Sequence, residues 1–142
     1  MPTKIVLGAQ WGDEGKAKVV DYLTHAADIV VRFQGGANAG HTVQVGDTQF
    51  IFHLVPSGIM HPDKTCVVGN GVVLDPEGAL DEIDELAEKG ISCDGRLFIS
   101  QNAHLVMPYH KIFDRAGEER QGSSKLGTTG RGIGPCYRDK VE

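Results

Sequence analysis

Ile5-Val6-Leu7-Gly8-Ala9-Gln10-Trp11-Gly12-Asp13-Glu14-Gly15-Lys16-Ala17-Lys18 opens the chain with an apolar run, a glycine-rich turn and the start of a helical pattern. Lys4 to Leu7 predicts a buried strand, residues 8–15 a loop, and Lys16 to about His25 a helix with Val19, Val20 and Leu23 on one face. Working outward, Asp28 to Phe33 predicts a second strand and Gln34 to His41 a second glycine-rich loop. Thr42–Val45 and Thr48–Leu54, joined by Gly46-Asp47, predict a hairpin. Thr65–Val68 and Arg96–Ser100 read as further strands. Pro76 to Lys89 reads as a helix with Asp75 as N-cap, Pro76 at the first position and Gly90 after the end. Its apolar face is Leu80, Ile83, Leu86 and Ala87. A last helix runs from Pro108 to about Glu119, and residues 117–135 are rich in Gly, Ser and Thr. Strands alternating with helices predict an α/β fold: a mainly parallel central sheet with flanking helices, plus a small hairpin after the second strand.

Composition narrows the function. Glycine takes 19 of 142 residues, against roughly 7% in ordinary proteins. The glycines have no three-residue period, which excludes collagen. They cluster at 8–15, 35–40, 69–71 and 127–134, between apolar runs, where backbone must come close to a ligand or turn left-handed. Fourteen Lys and Arg against nineteen Asp and Glu give a net charge of −5. That balance argues against a nucleic-acid-coating protein. It leaves a small anionic ligand open, because backbone N–H groups and a few cations suffice for phosphate. Cys66, Cys93 and Cys136 form no metal-binding or disulfide pattern and read as reduced thiols of a cytoplasmic protein. No signal peptide is evident, and no apolar stretch approaches the ~18 residues of a membrane span.

The first loop sits between a strand and a helix, the context of a phosphate loop. Lys16 follows Gly15 as the lysine follows glycine in G-x-x-x-x-G-K-[ST]. The match is partial. Gln10 stands where the first glycine belongs, and Ala17 where a Ser or Thr would hold Mg²⁺. Asp13 fills that gap, since a carboxylate is a hard oxygen ligand suited to Mg²⁺. Asp13 and Glu14 inside an anion loop make sense with a cation or a proton to move. The plainer alternative is a helix start with favourable acids and turn glycines. The second loop, Gln34-Gly-Gly-Ala-Asn-Ala-Gly-His-Thr42, also leaves the carboxyl end of a strand. In a parallel sheet both loops reach the same edge, which brings Asn38 and His41 toward Asp13.

Three stretches then carry a resemblance. Trp11 to Lys18 (WGDEGKAK), Gln34 to Thr42 (QGGANAGHT) and Gly127 to Tyr137 (GTTGRGIGPCY) resemble, in order and spacing, the signatures of the adenylosuccinate synthetase family. His53–Ile59 and Gly69–Pro76 are similar to it as well, so the likeness covers essentially the whole chain. The resemblance implies a P-loop-like GTP-binding fold. It implies GTP-dependent joining of inosine monophosphate (IMP) and L-aspartate to adenylosuccinate, with GDP and phosphate, through a 6-phosphoryl-IMP intermediate; this is the committing step toward AMP. Asp13 and His41 are the implied catalytic residues. Asp13 takes the N1 proton of IMP and, with the carbonyl of Gly40, holds Mg²⁺. His41 is the proton donor and steadies charge on the GTP phosphates. Gly12, Asp13, Glu14, Gly15, Lys16, Ala17 and Lys18, with Gly40, His41 and Thr42, are the implied GTP contacts. Asp13, Glu14, Gly15 and Lys16, with Asn38, Ala39, Gly40 and His41, line the implied IMP site, and Thr129 meets its 5′-phosphate. A homodimer in the cytoplasm is implied for the family's full length.

The chain departs from the family in two ways. Ala17 replaces the usual glycine, which a helical backbone tolerates. The length is far below the family's several hundred residues, and the chain ends on Asp139-Lys140-Val141-Glu142 without a cap. Residues 1–142 are therefore expected to be a single N-terminal portion of the GTP- and IMP-binding catalytic domain, inactive alone. The alternative is a non-catalytic nucleotide-phosphate-binding module. A third expectation is that open sheet edges keep the chain from folding stably alone. Arg131 and Arg138 are given no role beyond phosphate or interface contacts. His53, His61, His104 and His110 read as non-ligands, Met60 and Met107 as core, and Asp81, Glu82, Asp84, Glu85 and Glu88 as a solvated helix face.

Overall fold

A computed structural model describes residues 2–9, 15–38, 40–45, 48–124 and 126–142. Helix α1 (Lys16–Thr24) leads to strand β1 (Ile29–Gly35), then to the strands β2 (His41–Val45) and β3 (Thr48–Phe52). A 3-10 turn (Ser57–Met60) precedes the long strand β4 (Thr65–Leu74). Helix α2 (Pro76–Glu88), strands β5 (Leu97–Ile99) and β6 (His104–Leu105), helix α3 (Pro108–Arg120) and helix α4 (Ile133–Val141) follow.

Strand β4 is the axis of the sheet. β1 pairs with it in parallel, from Ile29 opposite Thr65 to Gly35 opposite Val72. On the other edge β5 pairs with Cys66 to Val68 and β6 with Val73 and Leu74, both in parallel. β2 and β3 form a separate antiparallel hairpin, with His41 opposite Phe52. The mainly parallel sheet and the small hairpin are those the sequence predicts.

One face of the sheet carries the core. Val30 and Cys66 pack with Phe50 and Phe52 of the hairpin, with Val55 and Ile59, and with Leu86 of α2. Further along β4, Val68, Val72 and Leu74 pack with Ala37, Leu54 and Ala79. Burying a side chain such as Phe52 or Ile59 contributes about 1.5–3 kcal/mol. Burial also pushes the thiols of Cys66 and Cys136 up to about 11, so both stay protonated and unreactive at neutral pH. The other face is open along β1 and β5, where Ile29, Val31, Phe33 and Phe98 are exposed, and is covered at the end of β4, where Val73 packs with Val106 and with Cys136 of α4. A parallel sheet is ordinarily covered on both faces. The chain exposes 9326 Å², where a compact protein of this mass exposes about 7,100 Å².

Four local expectations are corrected. Residues 4–7 form no strand, and Ile5 is 70% and Leu7 66% exposed. An apolar run states what gains by burial and leaves open which edge receives it; a strand exists only through its ladder. Helix α2 buries Ala79, Glu82 and Leu86 while Leu80 is exposed, so its inner face is turned from the expected one and Glu82 leaves the solvated group. Asp75 precedes α2 but makes no side-chain cap; its carboxylate pairs with Lys111 of α3 at 2.8 Å. Met107 is exposed rather than core. Helix α4 forms where the sequence analysis assigns no element; its Pro135 lies in the first turn, where proline is tolerated.

Helices α3 and α4 are joined by a buried histidine. His110 is fully buried, and its Nδ1 accepts the N–H of Met107 at 2.8 Å. That leaves Nε2–H to donate to Asp139 Oδ2 at 2.9 Å, where the Tyr109 hydroxyl also donates at 2.9 Å. The bonds from His110 and then Tyr109 hold the Asp139 carboxyl below the usual carboxylate range. A depressed carboxylate stabilises the fold above its unfolded value, about pH 4, and that contribution is lost as pH falls through the folded one. Asp139→Asn is therefore expected to flatten the acid limb of stability below about pH 4. Urea midpoints between pH 2 and 7 check this; an unchanged acid limb would contradict it.

Candidate active site

The first loop is seen at its two ends, residues 8–9 and Gly15. Gly12, Asp13 and Glu14 lie outside the described residues, as does Ala39, so their roles rest on sequence. Gly15 precedes α1 with φ +81°, a left-handed conformation that glycine takes without strain. Lys16, Ala17 and Lys18 form the first turn of α1, in which the Lys18 N–H bonds the Gly15 carbonyl at 3.0 Å, and the start of a helix favours an anion. Ala17 sits in helical backbone, so its methyl group meets the local geometry the sequence reading assumed.

The second loop is seen in more detail. His41 begins β2 and stacks on its partner Phe52, ring centroids 5.4 Å apart. Its Nε2 is buried with no hydrogen-bond partner among the described residues. A buried polar atom left unpaired costs free energy, and in native proteins such atoms point to a missing partner. Burial first, then the positive charges of Arg32 and His53, lower the pKa of His41; Asp21 opposes them. The imidazole is therefore neutral at neutral pH and available as an N–H donor. Asp21 lies on α1, so the elements that follow the two loops are neighbours.

Residues that sequence reasoning passed over hold this loop in place. Arg32 donates from one nitrogen to the carbonyl of His53 and from the other to that of Gly36 at 2.6 Å. The Glu82 carboxylate, 6% exposed, accepts the N–H groups of His53, Leu54 and Val55 at 3.1, 2.9 and 3.1 Å. Burial pushes its pKa up, and the three N–H groups pull it down. The His53 ring fills the space beside Gly40, where a Cβ would come within 2.6 Å of it. Arg131 donates to the carbonyl of Ala37. One signal was legible: Arg32 interrupts an otherwise apolar strand, and a buried guanidinium needs acceptors.

Thr129 is exposed on the rim of a cleft of about 570 Å³ that it shares with Ala37, His53, Lys111, Arg115 and Arg131. The third signature is thus brought against the second loop. Lys111 is already engaged by Asp75 and Glu77, at 2.8 and 3.7 Å. Asn38, Gly40 and Thr42 are exposed along the loop. Among the described residues, no three His, Cys, Asp or Glu gather as a metal cluster, and no helix is long and apolar enough to cross a membrane.

Known proteins share this fold. The family profile of adenylosuccinate synthetase matches residues 5–142. The adenylosuccinate synthetase of Anaeromyxobacter sp. (strain K) is 61% identical over 142 residues, covering 99% of this chain and 33% of that protein. That of Thermodesulfovibrio yellowstonii is 56% identical over 141 residues, covering 99% and 32%. The fully ligated adenylosuccinate synthetase of Plasmodium falciparum superposes with a TM-score of 0.85 at 44% identity, over 95% of this chain and 32% of that one. The chain spans about a third of the length of the curated relatives it matches. A profile matched from residue 5 to the last residue, carried on the same fold, places this chain in the adenylosuccinate synthetase family.

Proposed function

We propose that these 142 residues are the N-terminal portion of the GTP- and IMP-binding catalytic domain of an adenylosuccinate synthetase. The reaction joins IMP and L-aspartate at the expense of GTP. The observation that carries the reading is the buried Nε2 of His41, which has no hydrogen-bond partner among the described residues.

Asp13 removes the N1 proton of IMP, and O6 attacks the γ-phosphorus of GTP as GDP leaves. The aspartate amine then attacks C6, and phosphate departs. His41, neutral before ligand binds, donates its N–H to phosphate oxygen as charge develops there. Gly12 to Lys18 and Gly40 to Thr42 hold GTP; Asp13 to Lys16, Asn38 to His41 and Thr129 hold IMP. Phosphoryl transfer is mostly positioning and charge neutralisation, and backbone N–H groups with Lys16 supply much of both. Mg²⁺ fits the oxygen donors of Asp13 and the Gly40 carbonyl, because it is usually held by one or two carboxylates plus substrate phosphates; it would neutralise charge on the phosphates. The full-length protein is proposed to act as a homodimer in the cytoplasm.

The chain alone is expected to release no phosphate from GTP in the presence of IMP, aspartate and Mg²⁺. Extended to family length, the same residues should form adenylosuccinate, followed by its absorbance. Turnover by the 142-residue chain would refute its incompleteness. An extended protein that binds IMP yet makes no adenylosuccinate would favour the binding-module reading.

A further inference from the structure

Tyr137 belongs to the third signature but has no chemistry in the reaction above. Its hydroxyl accepts the N–H of Gly35 at 2.7 Å and lies 2.8 Å from the carbonyl of Gly71 and 3.2 Å from that of Gly35. One hydroxyl has one proton, so the shorter bond, to Gly71, takes it. The place is unusual for the sheet. Between Arg32 and Gln34 the register of β1 against β4 shifts. Gly35 ends β1 with φ +90°, and a Cβ at Gly71 would collide with the carbonyl oxygen of Phe33. A bulge of this kind strands backbone groups, and the Tyr137 hydroxyl serves one from each strand.

The next loop residues meet the same segment. A Cβ at Gly36 would come within 2.5 Å of Ile133 Cδ1, so that side chain lies directly on its backbone. Arg131 donates to Ala37. Gly35, Gly36 and Ala37 are thus held in sequence by Tyr137, Ile133 and Arg131. Asn38, Gly40 and His41 follow immediately.

We propose that Tyr137 is a positioning residue for the second glycine-rich loop, setting where Asn38, Gly40 and His41 stand. This rests on the reading of that loop as the nucleotide site. Tyr137 acts through Gly35 and touches no reacting atom.

The test uses the 142-residue chain with Tyr137→Phe, which removes one oxygen and keeps the ring. Tyr109→Phe is the control, because its hydroxyl bonds Asp139, away from the loop. Tyr137→Phe should still unfold cooperatively. Its Gly35 amide should exchange with solvent at least about tenfold faster, while Val67 and Leu97 in the β4–β5 ladder stay unchanged. The ring resonances of His41 should move, and IMP affinity by calorimetry should fall about tenfold. Tyr109→Phe should change none of these. Unchanged Gly35 exchange, or faster exchange with His41 resonances and IMP affinity both unaltered, would overturn the proposal. If the wild-type chain binds no IMP, nucleotide binding by this length fails on its own; Gly35 exchange and the His41 resonances still decide the role of Tyr137.

Discussion

Glu82→Ala is expected to destabilise the chain by about 3–5 kcal/mol, the largest loss from any single side chain in α2. The carboxylate is buried and takes three consecutive backbone N–H groups, those of His53, Leu54 and Val55. Alanine leaves all three without an acceptor, at about 1–3 kcal/mol for each buried donor that water cannot reach. Relief of the carboxylate's own burial offsets part of that cost. Arg32 also loses the negative charge that partly compensates its burial. Against a total stability of about 5–15 kcal/mol for a domain, that is from about a fifth of the total to all of it. Glu82→Gln should fall between, since its amide can accept on one side but turns N–H groups toward donors on the other. Urea midpoints compare the three proteins. An alanine variant within about 1 kcal/mol of wild type would show that the three N–H groups find other acceptors.

Asp13→Asn should cost the full-length enzyme roughly 10²–10⁴ in turnover, the usual contribution of a positioned base. The substitution keeps the shape of the side chain and removes the lone-pair charge that accepts the N1 proton. His41→Asn should also lower turnover, by about 10²–10³, as loss of one donor to a developing oxyanion does. Neither change should alter thermal unfolding much. Steady-state phosphate release measures both. Asp13→Asn retaining more than about a tenth of wild-type turnover would remove Asp13 from the role of base.

These two experiments probe different kinds of information. Asp13 is proposed from reading along the chain. A carboxylate inside a glycine loop, between an apolar run and a helix, is a local pattern, and so is His41 in the second loop. Glu82 was misread by the same method. It sits among Asp81, Asp84, Glu85 and Glu88, and periodicity sees only another acid on a charged helix. Its burial depends on a rotation of α2 by less than one residue's turn, which carries Ala79 and Glu82 inward beside Leu86 and leaves Leu80 outside. Residues 4–7 failed for the opposite reason. Their apolar run asks for a sheet edge, and whether one is paired depends on chain far away in sequence.

Local composition alone determined the alternation of strands and helices, the glycine loops, and the three signatures that mark the family. Short-range propensity, turn chemistry and motif spacing act within about ten residues, and those features live there. Tertiary structure alone decided which acid is buried, that Arg32 spans His53 and Gly36, and that Tyr137 stands over Gly35. Those contacts join groups 21 and 102 residues apart. They follow from how backbone donors and acceptors are satisfied once the sheet is packed, and no window of sequence carries that accounting.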